Sequence, residues 1–165
     1  MGKTRRTSWR EKLEKEQEAK IVVITERMAG RFGIEAGQKM VIPRPRDVEM
    51  VVRQVPKGKL ITPSLIRQHL ASHYQVDVVC PLTTGIFLWM VANAAFEDII
   101  TQRATQETVT PYWRVVSNDG SLHPKFPGGV EIQMILLREE GYSFEEGKGK
   151  KPPRVRDFER YLVFP

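Results

Sequence analysis

Three adjacent side chains offer the densest chemistry in this sequence. They are the phenol of Tyr112, the indole of Trp113 and the guanidinium of Arg114, set between Pro111 and the valines Val115 and Val116. A phenol with a pKa of about 10 is scarcely ionised at neutral pH and makes a slow nucleophile. An indole nitrogen donates a hydrogen bond and cannot accept a proton, so Trp113 cannot activate its neighbour. Arg114 suits carboxylates and backbone carbonyls, and scaffolding is the plainer reading for it. Gly128-Gly129 lets backbone approach a flat ligand, or simply turns the chain into a helix. The single cysteine, Cys80, precedes Pro81 in an apolar context, where an inert thiol is the rule and a displaced nucleophile the exception. His69, His73 and His123 lack metal-ligand spacing, so neither a metal nor a cofactor is expected.

These groups must be positioned by a chain of 165 residues, enough for one domain. Its 41% hydrophobic and 28% charged residues are those of an ordinary globule. No apolar run reaches the roughly 20 residues of a membrane span, and Met1–Glu18 lacks the apolar stretch of a secretory signal. One cysteine fits a reducing, cytoplasmic compartment, with nucleoid association open. A net charge of +6 permits a polyanionic partner without requiring one.

Along the chain, residues 1–20 read as a charged helix with Ser8 as N-cap and Trp9 and Leu13 on one face. Ile21–Ile24 and Lys39–Ile42 read as strands. Asp47 is expected to cap a helix burying Val48, Val51, Val52 and Val55. Ser64 should cap one burying Leu65, Ile66 and Leu70. Thr83 and Thr84 should cap a long apolar helix from about Gly85 to Gln102. Val115 and Val116 should begin a strand, Asn118-Asp119-Gly120 a turn, and Val130–Glu140 a helix closed by Gly141. The Lys- and Gly-rich stretch 147–154 reads as a mobile basic segment, and Phe158–Phe164 as a final strand.

Two segments carry a resemblance. Val55-Pro56-Lys57-Gly58-Lys59-Leu60-Ile61-Thr62 is similar to an Ile-Pro-x-Gly-x-Val-x-Thr turn. Pro111-Tyr112-Trp113-Arg114-Val115-Val116, followed by Gly128-Gly129 and Leu136-Leu137-Arg138-Glu139-Glu140-Gly141, is similar to a Pro-Cys-His-Arg-Val-Val segment with its Gly-Gly and Leu-Leu-x-x-Glu-Gly. Both patterns are those of the O6-alkylguanine-DNA alkyltransferases. The resemblance covers residues 46–142. It implies an α/β fold: a winged-helix DNA-binding domain of alkyltransferase type, with a basic N-terminal extension (1–45) and a basic C-terminal tail (143–165).

That family transfers an alkyl group to a cysteine thiolate formed by a His relaying its proton toward a Glu. Here Tyr112 and Trp113 replace Cys and His, and only Glu140 aligns with the relay. The chain thus looks like the alkyltransferase-like branch, which lacks the Cys, binds alkylated guanine and marks it for another repair pathway. That branch keeps the His, which is a departure here. Further departures lie ahead of the active-site segment. The family's base-propping Arg falls on Gly85, its small helix residues near Leu88 and Trp89, and its phosphate-crowding Tyr on Pro63.

The resemblance implies a DNA-repair role without alkyl transfer. Its partner would be duplex DNA, alkylated at the site bound, with a repair protein as a second partner. Tyr112, Trp113, Arg114, Gly128 and Gly129 are expected around the base pocket. Lys59, Ser64, Arg67, Thr83, Thr84, Lys148, Lys150 and Lys151 are expected to contact DNA. Flipping a base requires something to fill the stack, and Phe87 or Trp89 could wedge there. Core packing is the plainer role, because Asn93 is the only polar side chain from Gly85 to Phe96. A protein-interaction scaffold using the apolar helix 85–96 is the second reading, and an enzyme using Cys80 the third.

Overall fold

The computed structural model describes residues 5–31 and 33–163. Three helices form its centre: α2 (Pro45–Arg53), α3 (Pro63–Tyr74) and α4 (Pro81–Ile100). Each opens with a proline at the first helical position, where the missing N–H costs nothing and the fixed φ already suits a helix. This moves every expected start. Arg44, Thr62 and Cys80 are the N-caps, in place of Asp47, Ser64 and Thr83 or Thr84. Asp47 lies one turn inside α2, its carboxylate accepting from the Arg44 backbone N–H at 2.8 Å. Thr62 accepts from Leu65 N at 3.3 Å.

Around the helices stand a three-stranded sheet and extended segments. β1 (Lys20–Val23) pairs antiparallel with β2 (Lys39–Ile42), Ile21 facing Val41. β2 pairs in parallel with the two-residue β3 (Val78–Val79), which leads into α4. Ile61 bridges Val115, and Leu60 bridges Leu162. The result is the mixed α/β architecture expected, helices with two small sheets among the described residues. No helix among the described residues is long and apolar enough to cross a membrane.

The larger of two buried clusters draws on both terminal stretches as well as residues 46–142. Leu13, Val41, Val155 and Phe158 are buried in the same cluster as Val52, Leu60, Val91 and Leu137. Of the helix expected over residues 1–20, only α1 (Trp9–Glu14) is helical among the described residues. It is capped by Ser8, while Met1–Thr4 lie outside them. A carboxylate from α4 also caps α1: Glu97 accepts from Trp9 N at 3.2 Å and from Arg10 N at 3.3 Å. Arg10 then reaches Glu49 at 3.0 Å and Asp98 at 2.7 Å.

The C-terminal stretch is also built in. β4 (Phe144–Glu145) and β5 (Arg154–Val155) make a hairpin, with Lys148, Lys150 and Lys151 exposed in its loop. Buried Val155 anchors what the composition makes look like free chain. The expected final strand is instead a 3₁₀ turn at Phe158–Tyr161, after which Val163 N donates to Leu60 O at 2.9 Å. Phe164 lies outside the described residues. Beyond α4, Val130–Glu140 appears as α5 (Gly129–Glu139). Tyr112–Arg114 forms a 3₁₀ turn, and Val115 makes a single bridge where a strand was expected.

Arg10→Ala strands two largely buried carboxylates. We expect it to destabilise the fold by about 3 kcal/mol, as removing one partner of a buried ion pair does. Urea denaturation measures this. A loss below about half a kcal/mol would mean that α1 is not clamped to α2 and α4.

Candidate functional site

An open cavity of about 930 Å³ lies at the head of α4. Its walls include Pro63 from α3, Leu82, Gly85, Ile86 and Trp89 from α4, and His123, Lys125 and Phe126 from the loop before α5. The lining is apolar apart from His123 and Lys125. Gly85 contributes no side chain, and a Cβ built there would meet nothing within 4 Å. His123 stacks on Phe126 with centroids 4.2 Å apart and ring planes at 22°. Trp89 is packed edge-on by Trp9 of α1 at 4.6 Å. The cavity thus has two aromatic walls, one supplied by a loop and the other braced by the N-terminal helix. Among the described residues, Lys125 is the one cationic side chain in its lining.

Pro63, Gly85, Leu88 and Trp89 stand where the resemblance places the groups that grip DNA, and all four line this cavity. In contrast, Tyr112, Trp113, Arg114, Gly128 and Gly129, expected around a base pocket, do not line this cavity. Tyr112 and Trp113 are each 1% exposed. Tyr112 packs edge-on against Trp113 at 5.5 Å and against Phe126 at 5.7 Å, beneath the wall rather than in it. Its hydroxyl is buried without a partner among the described residues, and burial pushes its pKa up to about 12. Tyr112 is therefore neutral at pH 7, with no base among those residues in hydrogen-bond reach of it.

Trp113 donates its Nε1–H to Glu140 at 2.5 Å. The same carboxylate accepts from Arg114 Nε at 3.0 Å and from Gly58 N at 3.0 Å, and Arg114 donates to Val55 O at 2.8 Å. Arg114 is scaffolding, as its chemistry suggested. Gln133 of α5, fully buried, donates to Trp113 O at 3.1 Å and to Val115 O at 2.9 Å, and accepts from His123 N at 2.8 Å. It ties the Tyr112 turn to the loop that carries the cavity wall. A lone glutamine inside an apolar helix was the available signal for this role. Gly128 caps α5 in the left-handed region at φ 75°, where a Cβ would lie 2.2 Å from Ile132 Cγ1. The glycine pair shapes the entry to the helix.

Of the residues expected to contact DNA, Thr84 is excluded. It is fully buried, and its hydroxyl donates to Cys80 O at 2.8 Å within the first turn of α4. Thr83 is half-buried, and its hydroxyl donates to the same carbonyl at 3.3 Å. Lys59 is exposed, and Ser64 and Arg67 are half-buried on one face of α3. Cys80, half-buried, packs against the small cluster of Ile24, Ile34 and Met40. Among the described residues no group of three or more His, Cys, Asp or Glu could hold a metal. Phe126 and Leu82 went unread as lining residues and His123 was read only as a structural histidine, because their partners lie far away in the chain, whereas Ile86 lies in the helix 85–96 read as a protein-interaction surface.

No known protein family matches the chain, and no curated protein does. Among solved structures it is similar to S. pombe Atl1 in complex with damaged DNA containing O6-carboxymethylguanine, at 19% identity and a TM-score of 0.49. The match covers 73% of this chain and 94% of that one.

Tyr112→Phe removes an unpartnered hydroxyl and keeps the ring. We expect it to leave stability unchanged or raise it by up to about 1 kcal/mol. Tyr112→Ala should cost about 3–5 kcal/mol by opening a cavity. Thermal melts of both variants decide whether the residue is the plug described.

His123 makes a second, pH-dependent expectation. Burial pushes its pKa from 6.5 down to about 4, so the folded protein holds it neutral while the unfolded chain protonates near 6.5. Its contribution to stability is full above pH 6.5 and is lost as pH falls through about 4. His123→Phe should flatten that acid limb in urea titrations across this range. An unchanged limb would place the imidazole in water.

Proposed function

We propose that the protein binds DNA without chemical turnover and recognises a base displaced from the duplex, an alkylated base foremost. The observation that carries this reading is the apolar cavity at the head of α4. It is walled by the His123–Phe126 stack and Trp89, with Lys125 in its lining. A displaced base brings a π-face, and stacking on aromatic side chains contributes roughly 1–3 kcal/mol per base. Exposed lysines at positions 59, 148, 150 and 151 supply charge for backbone phosphates. The motif resemblance supports the same reading. Alkyl transfer is not part of it, because Tyr112 is sealed and neutral and Trp113 already donates to Glu140.

A second reading has its own support. Leu82, Ile86 and Trp89 are 63%, 47% and 40% exposed along one side of α4, an apolar stripe that a protein partner could cover.

Gly85→Leu separates the two. The new side chain enters open space, fills the cavity and should not harm the helix, since glycine is the poorer helix former. We expect discrimination between O6-alkylguanine duplex and plain duplex to vanish in fluorescence anisotropy while general affinity persists. Replacing Lys148, Lys150 and Lys151 by Gln should flatten the salt dependence by up to roughly 0.9 for each phosphate no longer neutralised. Intact-protein mass should stay constant after incubation with alkylated DNA. Undetectable binding at low salt would favour the protein-partner reading, and a stoichiometric mass gain would overturn the absence of transfer.

A further inference from the structure

A second cavity, of about 420 Å³, shares Pro81 with the first and lies between α3 and β3. Its α3 wall is Ser64, Arg67, Gln68 and Ala71, one helical face at i, i+3, i+4 and i+7 spacing. Arg67 is half-buried there, and burial pushes its pKa down. Arg10 and Arg114, which are largely buried, both pair with carboxylates. Arg67 pairs with none among the described residues and donates to Ser64 Oγ at 3.2 Å. A guanidinium partly withdrawn from water, with no carboxylate in contact, gains from an anion that completes it. The β3 side presents Asp77, whose carboxylate accepts from Lys39 N at 2.8 Å.

We infer that this cavity is a phosphodiester subsite, with Arg67 as its fork and Ser64 and Gln68 as flanking donors. The charge arrangement selects the ligand. Arg67 and Asp77 line the same cavity without forming an ion pair, so a diester with a single negative charge can take the Arg67 fork while meeting the least repulsion from Asp77. A phosphomonoester, with nearly two charges, would be repelled by Asp77. The cavity adjoins the larger one through Pro63–Ser64 and Pro81, so the phosphate seated here would belong to the strand whose base enters the apolar cavity. That last step rests on the DNA-binding reading, whereas the anion subsite itself does not.

The test uses the full chain and dimethyl phosphate as probe, followed by two-dimensional ¹H–¹⁵N NMR. We expect saturable shifts at Arg67 Nε–H and at the backbone amides of Ser64–Gln68 and Asp77–Val79. Arg67→Gln should abolish them with the rest of the spectrum unchanged. Asp77→Asn should tighten binding several-fold, because the amide oxygen keeps the bond to Lys39 and the opposing charge is gone. No saturable shift in the wild type, or equal shifts in Arg67→Gln, overturns the subsite.

A DNA titration then assigns its use. Arg67→Gln should weaken duplex binding and lower the salt slope by about 0.9, one phosphate. Unchanged DNA affinity and slope beside an intact dimethyl phosphate response overturn the link to the DNA strand. Dimethyl phosphate binding with no DNA binding at all sinks the proposed function and leaves the anion subsite standing.

Discussion

A carboxylate only 3% exposed must find its donors elsewhere in the chain, and Glu140 draws them from three places. The Trp113 indole, the Arg114 guanidinium and the Gly58 amide all donate to it. Arg114 extends the tie to Val55 O at the exit from α2. One side chain at the end of α5 therefore fixes the α2–α3 connection and the 3₁₀ turn together. That turn carries Tyr112, Tyr112 packs under Phe126, and Phe126 stacks with His123 to make a wall of the cavity. Without the carboxylate the buried guanidinium would lack its counter-charge, and the turn would lose what holds it down.

The same group bears on what the site can do chemically. The resemblance assigns Glu140 to the end of a proton relay. Here the neighbouring indole donates its only N–H to the carboxylate and has no site from which to take a proton. That hydrogen bond holds the indole in place. The Tyr112 phenol beside it is buried without a base, which favours its neutral form.

The terminal stretches take part in this arrangement. α1 braces Trp89 through Trp9, and Glu97 and Asp98 of α4 hold α1 in turn. β3, formed by pairing with a strand from the N-terminal stretch, sets where α4 begins and so where its proline and glycine face the cavities. The long helix divides its apolar residues between two tasks. Leu88, Val91, Ala92, Ala94 and Ala95 fill the core, while Leu82, Ile86 and Trp89 meet solvent. Exposed apolar side chains gathered beside a cavity differ from scattered ones, because a ligand can cover them at once.

The sequence determined what depends on local geometry or on the identity of a functional group. Ser8 caps a helix, β-branched runs make β1 and β2, and Gly141 turns the chain after α5 wherever it folds. Likewise, a phenol beside an indole is a poor nucleophile in any fold, and the Arg114 guanidinium suited scaffolding before its partners were known. Prolines at the first helical position outranked Asp47, Ser64 and Thr83 as helix starts, a local signal that was present and outweighed. The rest was settled by contacts between distant residues. A two-residue strand such as β3 exists only because β2 pairs with it. The Lys- and Gly-rich stretch looked mobile by composition, yet Val155 finds a place in a core built largely by residues far away in the chain. The depth of Tyr112, the isolation of Arg67 from carboxylates and the cavity at the head of α4 are properties of the packed whole. Burial depends on every neighbour in space, and spacing along the chain does not encode those neighbours.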